Sequence, residues 1–171
     1  MKFDSSNIST NKNAINKIRK IWQKSEKKIL KEIGNLTGLT IKTNSITCHI
    51  DDSTTNGLYG KNSITLGVKG GISADDVRMV IAHELFHIFY WKKLKKMCLT
   101  KSSPGKESKQ EWNLAEVAAF LLTNEPSLKK CWPNAQVCLY PKTKSTCKKV
   151  KQFWKQGDIG YFLAQSYKIL K

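Results

Sequence analysis

The sequence predicts an α+β fold: a small twisted mixed sheet packed on one long helix, with a further helical subdomain beside it. Three observations predict it. Residues 39–50 and 62–68 alternate apolar with polar side chains, the period of a half-buried strand. Residues 74–96 are strongly apolar and carry helix signals at both ends. Helical spacing recurs before and after that segment.

In chain order, Ile15, Ile18, Trp22, Ile29 and Ile33 recur every three or four residues and predict one helix over 12–33, stopped by Gly34 and Gly38. Leu39, Ile41, Ile46, Cys48 and Ile50 predict a strand over 39–50. A turn-rich loop over 51–57 leads to the second strand, and Gly70-Gly71 breaks the chain. Ser73 is a good N-cap with Asp76 three residues on, and Ile72 and Val77 suit a hydrophobic staple. Asp75 and Asp76 sit at the positive end of the helix dipole, and Lys92, Lys93, Lys95 and Lys96 near the negative end. A polar loop over 99–109 precedes a helix over 110–123, ended by Pro126. Two further helices are predicted over 142–156 and 158–170. No repeat or linker divides the chain, so residues 1–171 read as a single domain, its core at about 40–125 and a C-terminal helical part at about 127–171.

With 171 residues and 40% apolar side chains, the chain is able to bury a real core and is too apolar for a disordered segment. No apolar run approaches the roughly 20 uncharged residues that span a bilayer. The first residues lack the apolar stretch of a secretory signal, which predicts a cytoplasmic protein, with secretion by a route without a signal peptide left open. The formal charge is +17, which attracts anions and leaves nucleic acid open as a partner. However, Arg19 and Arg78 are the only arginines among 30 basic residues. A phosphate-reading surface needs the arginine fork, so the excess reads as solvated lysine faces. Five cysteines, with no Cys-x-x-Cys pair, read as free thiols; a bridge among Cys131, Cys138 and Cys147 stays open.

The chemistry lies in His83-Glu84-Leu85-Phe86-His87. Residues four apart share a helix face, so His83 and His87 are able to bind one metal ion together. Glu84, one residue round, has its carboxylate beside the metal, where it serves as the general base of a metallopeptidase. Zinc lowers the pKa of a bound water toward neutrality and makes it a nucleophile for a carbonyl. The chain has three histidines, and two fall in this pattern inside an apolar helix, where polar groups need a reason. His49, in a predicted strand, reads as a core or edge residue.

A third ligand must come from downstream. A histidine six residues after His87, as in one zinc-peptidase pattern, is excluded by Tyr90 and Lys93, where Gly and His are needed. Of the downstream acids, Glu116 interrupts the apolar run from Leu114 to Leu122, a costly place for an unpaired carboxylate. Glu111, in the first turn of the same helix, is the rival, although the dipole alone accounts for an acid there. Burial favours Glu116.

With these residues the chain resembles the gluzincins, zinc peptidases with His-Glu-x-x-His on one helix and a glutamate on the next. Glu116-Val117-Ala118-Ala119 is similar to their Glu-x-x-Ala segment. The resemblance implies a zincin-like fold over residues 40–125, His83, His87 and Glu116 as zinc ligands, and Glu84 as general base and acid. It also implies that strand 62–68 is the edge on which an extended peptide substrate pairs. The chain departs from larger members at Ala115, where they carry asparagine, and at Phe120, where an acid would stand. It also resembles the smaller ImmA/IrrE-like group of regulatory peptidases; on that alignment Glu111 would bind zinc.

Zinc-dependent peptide hydrolysis, by an endopeptidase acting on a protein or peptide, is therefore the expected function. The alternative is a non-catalytic zincin fold or a basic binding module, against which the intact Glu84 argues. A peptidase toxin or effector differs from the first reading only in its substrate. Tyr90, Tyr140, Tyr161 and Tyr167 are the phenols available to stabilise an oxyanion. The segment 127–171 either completes the core or covers the cleft as a lid.

Overall fold

Helix formation around residues 74–96 is decided locally. The Ser73 hydroxyl accepts from the Asp76 amide at 3.0 Å and donates to the Asp76 carboxylate at 2.6 Å. Three lysines close the last turn of the helix, Ala74–Lys96. The computed structural model describes residues 1–5, 12–102, 105–155 and 157–170. In chain order its strands are β1 (Lys2–Ser5), β2 (Thr47–Asp51), β3 (Gly57–Tyr59) and β4 (Ser63–Gly67). Its helices are α1 (Lys12–Gln23), α2 (Glu26–Thr37), α3 (Ala74–Lys96), α4 (Lys109–Thr123), α5 (Pro126–Lys129), α6 (Lys144–Val150) and α7 (Ile159–Leu170). The fold is α+β with one small mixed sheet.

The sheet runs in the order β1-β2-β4-β3. β1, β2 and β4 are parallel, and β3 is antiparallel to β4. The strand expected over 62–68 is thus interior, and the edge on that side is β3, of which the sequence placed Gly57 in a loop and gave Leu58 and Tyr59 no element. The strand expected over 39–50 is shortened to β2. Before it, Thr43 turns to hydrogen-bond Glu26, and Ile46 donates its amide back to Thr43, so the alternation there serves packing against a helix instead of a ladder.

The helix expected over 12–33 is two helices. Ser25 breaks it: its amide and hydroxyl both bond to the Trp22 carbonyl, and the turn lets Trp22 and Ile29 enter the same core. Gly34 lies inside α2, and Gly38, at φ +67°, is the residue that ends it, donating to the Gly34 carbonyl at 2.8 Å. The helix expected over 142–156 is α6 flanked by two 3-10 turns. All five cysteines are free thiols.

Helix α3 is buried nearly all round, between β3 and β4 on one side and α1 and α4 on others. Ile81, Leu85 and Phe86 are fully buried, each contributing about 1.5–3 kcal/mol. Helix α4 starts with a capping box: Ser108 accepts from the Glu111 amide, and the Glu111 carboxylate accepts from the Ser108 amide at 2.9 Å. Thr100 and Ser102 also donate to Glu111, tying the preceding loop to the cap. Burial raises the Glu111 carboxyl, but these hydrogen bonds outweigh it and hold it below the ordinary range.

A depressed folded pKa stabilises above the unfolded value, about 4.3 for glutamate, and that stability is lost as pH falls through the folded value. Thermal melts of wild type and Glu111→Gln should therefore differ most near pH 7, and the gap should shrink below about pH 4. Ser108→Ala should cost about 1 kcal/mol by chemical denaturation.

Candidate metal centre

Close packing of α4 on α3 builds the site. Ala115, Ala118 and Ala119 on α4 are all fully buried. His83 and His87, one turn apart on α3, face Glu116 on α4. The two histidine Nε2 atoms are 3.0 Å apart. Glu116 reaches both, Oε2 to His83 at 3.4 Å and Oε1 to His87 at 3.4 Å. Ligand atoms of all three lie within 4.8 Å of one another, so the group is able to hold a metal ion. His87 is fully buried and Glu116 is nearly so.

Electrostatics separates the two histidines. Burial lowers His83, but its hydrogen bond to Glu116 and the charges of Glu84 and Glu116 outweigh it, and the net direction is up. Burial, reinforced by His83, drives His87 well down. Three donor groups thus converge where the described residues offer no lysine or arginine to pair with the buried Glu116 carboxylate, a costly arrangement without a further cation.

Glu84 is the neighbour on α3, buried beside this cluster. Burial pushes its carboxyl up to about 7; His83 lowers it and Glu116 raises it. Room for this carboxylate comes from Gly57 on β3. A Cβ at Gly57 would overlap the Glu84 carboxylate and come within 2.8 Å of Val80 Cγ1.

Two aromatic residues fix His87. The Tyr59 ring stacks on it at 4.4 Å and 23°. The Tyr59 hydroxyl accepts from the Trp91 indole at 3.1 Å and donates to Glu107 at 3.5 Å. His87 Nδ1 is buried and has no hydrogen-bond partner among the described residues, so stacking, not an acceptor, orients this ring.

His83, Glu84 and Glu116 line a cleft of about 330 Å3, while His87 is fully buried. Thr55, Asn56, Gly57 and residues 136–141 also line it. The C-terminal part therefore both completes the core and walls the cleft. Tyr140 lines the site, while Tyr90 is fully buried, Tyr167 lines a second cavity beside Glu111, and Tyr161 lies under Lys155. Burial raises the Tyr140 hydroxyl, and the charges of Glu116 and Glu84 add to it, which keeps that phenol protonated.

The structure thus brings together His83, Glu84, His87 and Glu116. It places Glu111 at the α4 cap and His49 on β2, both outside the cluster. Gly57, Tyr59, Trp91 and the individual residues 136–139 were not singled out from the sequence, whereas Tyr140 was. Comparisons with protein-family models, curated proteins and solved structures return no match to this chain.

A ligand set of this kind makes a prediction independent of any activity. Elemental analysis after dialysis against zinc should give one metal per wild-type chain. His83→Ala, His87→Ala and Glu116→Ala should each lose it, and Glu111→Ala should keep it. Loss in Glu111→Ala with retention in Glu116→Ala would displace the cluster as the metal centre.

Proposed function

We propose that this chain is a zinc metallopeptidase, with His83, His87 and Glu116 holding the metal and Glu84 as general base and acid. One observation carries the reading: two helices aim three donor groups at one point bordering a cleft, with a fourth, buried carboxyl beside them. The two imidazole nitrogens are 3.0 Å apart, each has a Glu116 oxygen at 3.4 Å, and one ligand atom from each residue lies within 4.8 Å of the others, which supports a shared ion. Two imidazoles and a carboxylate are also a donor set that zinc accepts in a catalytic site. A zincin-like description of the sheet and helices belongs to the same proposal.

When bound, zinc supplies Lewis acidity, polarising a carbonyl oxygen and lowering the pKa of water toward neutrality. The protein's residues do the rest. A Glu84 carboxylate oxygen takes the proton of the attacking water and returns it to the departing amine nitrogen, which one carboxyl can do in turn. The Tyr140 hydroxyl, held protonated, donates to the oxygen on which negative charge develops. Tyr59 holds the His87 ring in place for the metal.

The peptide is held by β3. The Gly67 amide donates to Asn56 and the Gly60 amide to Ser63, so residues 56, 58 and 60 turn their backbone groups toward β4. Gly57 and Tyr59 turn theirs to the open edge, next to Glu84. The pairing edge proposed here is therefore β3 and not the interior strand β4.

Peptidase assays on a mixed peptide library, read by mass spectrometry, check this. Zinc-loaded Glu84→Gln should bind metal normally and lose cleavage. Tyr140→Phe should lower kcat by on the order of 100-fold with little change in KM. A wild-type chain that binds no zinc and cleaves nothing would sink the proposal and leave a basic binding protein as the better account.

A further inference from the structure

We propose that the substrate is captured as a middle strand, paired to β3 on one side and to residues 136–139 on the other. The substrate class is then an extended stretch of polypeptide carrying bulky apolar side chains around the cleaved bond. This rests on the peptidase reading above.

The segment from Ala135 to Tyr140 forms no helix and no ladder, yet it is held firmly at both ends. At its start, the buried Asp75 carboxylate accepts from the Asn134 amide at 2.9 Å and from the Asn134 side chain at 3.0 Å. Arg78 binds the same carboxylate and donates to the Cys131 carbonyl at 2.7 Å. Lys129 donates to the Ala135 carbonyl at 2.7 Å. At its far end, Thr143 donates its amide and its hydroxyl to the Tyr140 carbonyl at 2.9 and 2.8 Å.

Between these anchors, the backbones of Gln136, Val137, Cys138 and Leu139 make no hydrogen bond to any described residue. Exposure alternates along them: Val137 and Leu139 are half-buried, and Gln136, Cys138 and Tyr140 are exposed. That is the period of a strand. The segment is free of helix and ladder, its backbone groups are unspent, and it lines the same cleft as Gly57 of the edge strand β3. A strand laid between them would find donors and acceptors on both sides.

The walls say which side chains suit it. Met79, Val80 and Phe120 line the cleft with Val137 and Leu139. Among the described residues no lysine or arginine lines it, and its acids are Glu84 and Glu116. Charged side chains next to the scissile bond find no partner there. Apolar extended segments are buried in folded proteins, so the substrate presents them from an unfolded or flexible region.

Two probes on the zinc-loaded full chain test this: acetohydroxamic acid, which engages the metal alone, and a Leu- and Phe-containing peptide hydroxamate. The peptide should bind tighter by on the order of 100-fold. It should slow amide hydrogen exchange, followed by NMR, both in β3 and within 136–139. Acetohydroxamic acid should slow neither. Cys138→Pro, which removes one amide without disturbing a buried side chain, should reduce the gain from the peptide and leave acetohydroxamic acid affinity unchanged. Protection of β3 alone by bound peptide, or an unchanged gain in Cys138→Pro, overturns the inference and spares the peptidase reading. Concentration-dependent protection of 136–139 without any probe would assign the segment to a second copy and overturn it too. Failure of acetohydroxamic acid to bind overturns the zinc reading, and the inference with it.

Discussion

Helix α4 packs against α3, and that contact carries a carboxylate to two histidines. Ala115, Ala118 and Ala119 on α4 are fully buried. Glu116, on the same helix, is buried too, and its ion-pair partners among the described residues are the two histidines. A carboxylate there is costly on its own terms. The rest of the centre is arranged around it: Tyr59 steadies one histidine, Gly57 makes room for Glu84, and the capping box at Ser108 sets where α4 begins.

Such a cluster is costly on its own and would be favoured by a bound cation. A ligand that binds only the folded chain stabilises it by mass action, so a tight metal would offset the burial of Glu116 directly. The same reasoning separates Glu116 from Glu111. Glu111 is already satisfied by Ser108, Thr100 and Ser102 and needs no metal to justify its position.

The parts legible in the sequence were those whose chemistry is local. The bounds of α3 follow from Ser73 at one end and a run of lysines at the other. The nearness of His83 to His87 follows from helical spacing alone, and Glu116 was visible as a charge inside an apolar run. Pairing between distant segments was not legible. β1 offers only Phe3 as an apolar signal, and the partner of Phe3 is Cys48, far along the chain. β3 has three residues, too few for any period, so the sheet's edge was misplaced onto β4. The course of 136–139 depends on Asp75, on a different helix, and no local pattern announces that anchor. The break at Ser25 is a subtler case: the apolar spacing continues through it, and only the tertiary demand on Trp22 and Ile29 bends the chain.

The excess of lysine acquires a purpose beside the open edge of β3. An unpaired strand edge is a template for pairing with any other chain, including another copy of this protein. Two copies carrying a formal charge of +17 each repel one another before their edges can meet. The repulsion acts over a Debye length of about 8 Å at physiological ionic strength and about 3 Å in molar salt. Colloidal stability of this protein is thus a property of the solvent as much as of the fold: concentrated salt removes the barrier that keeps the edges of two copies apart.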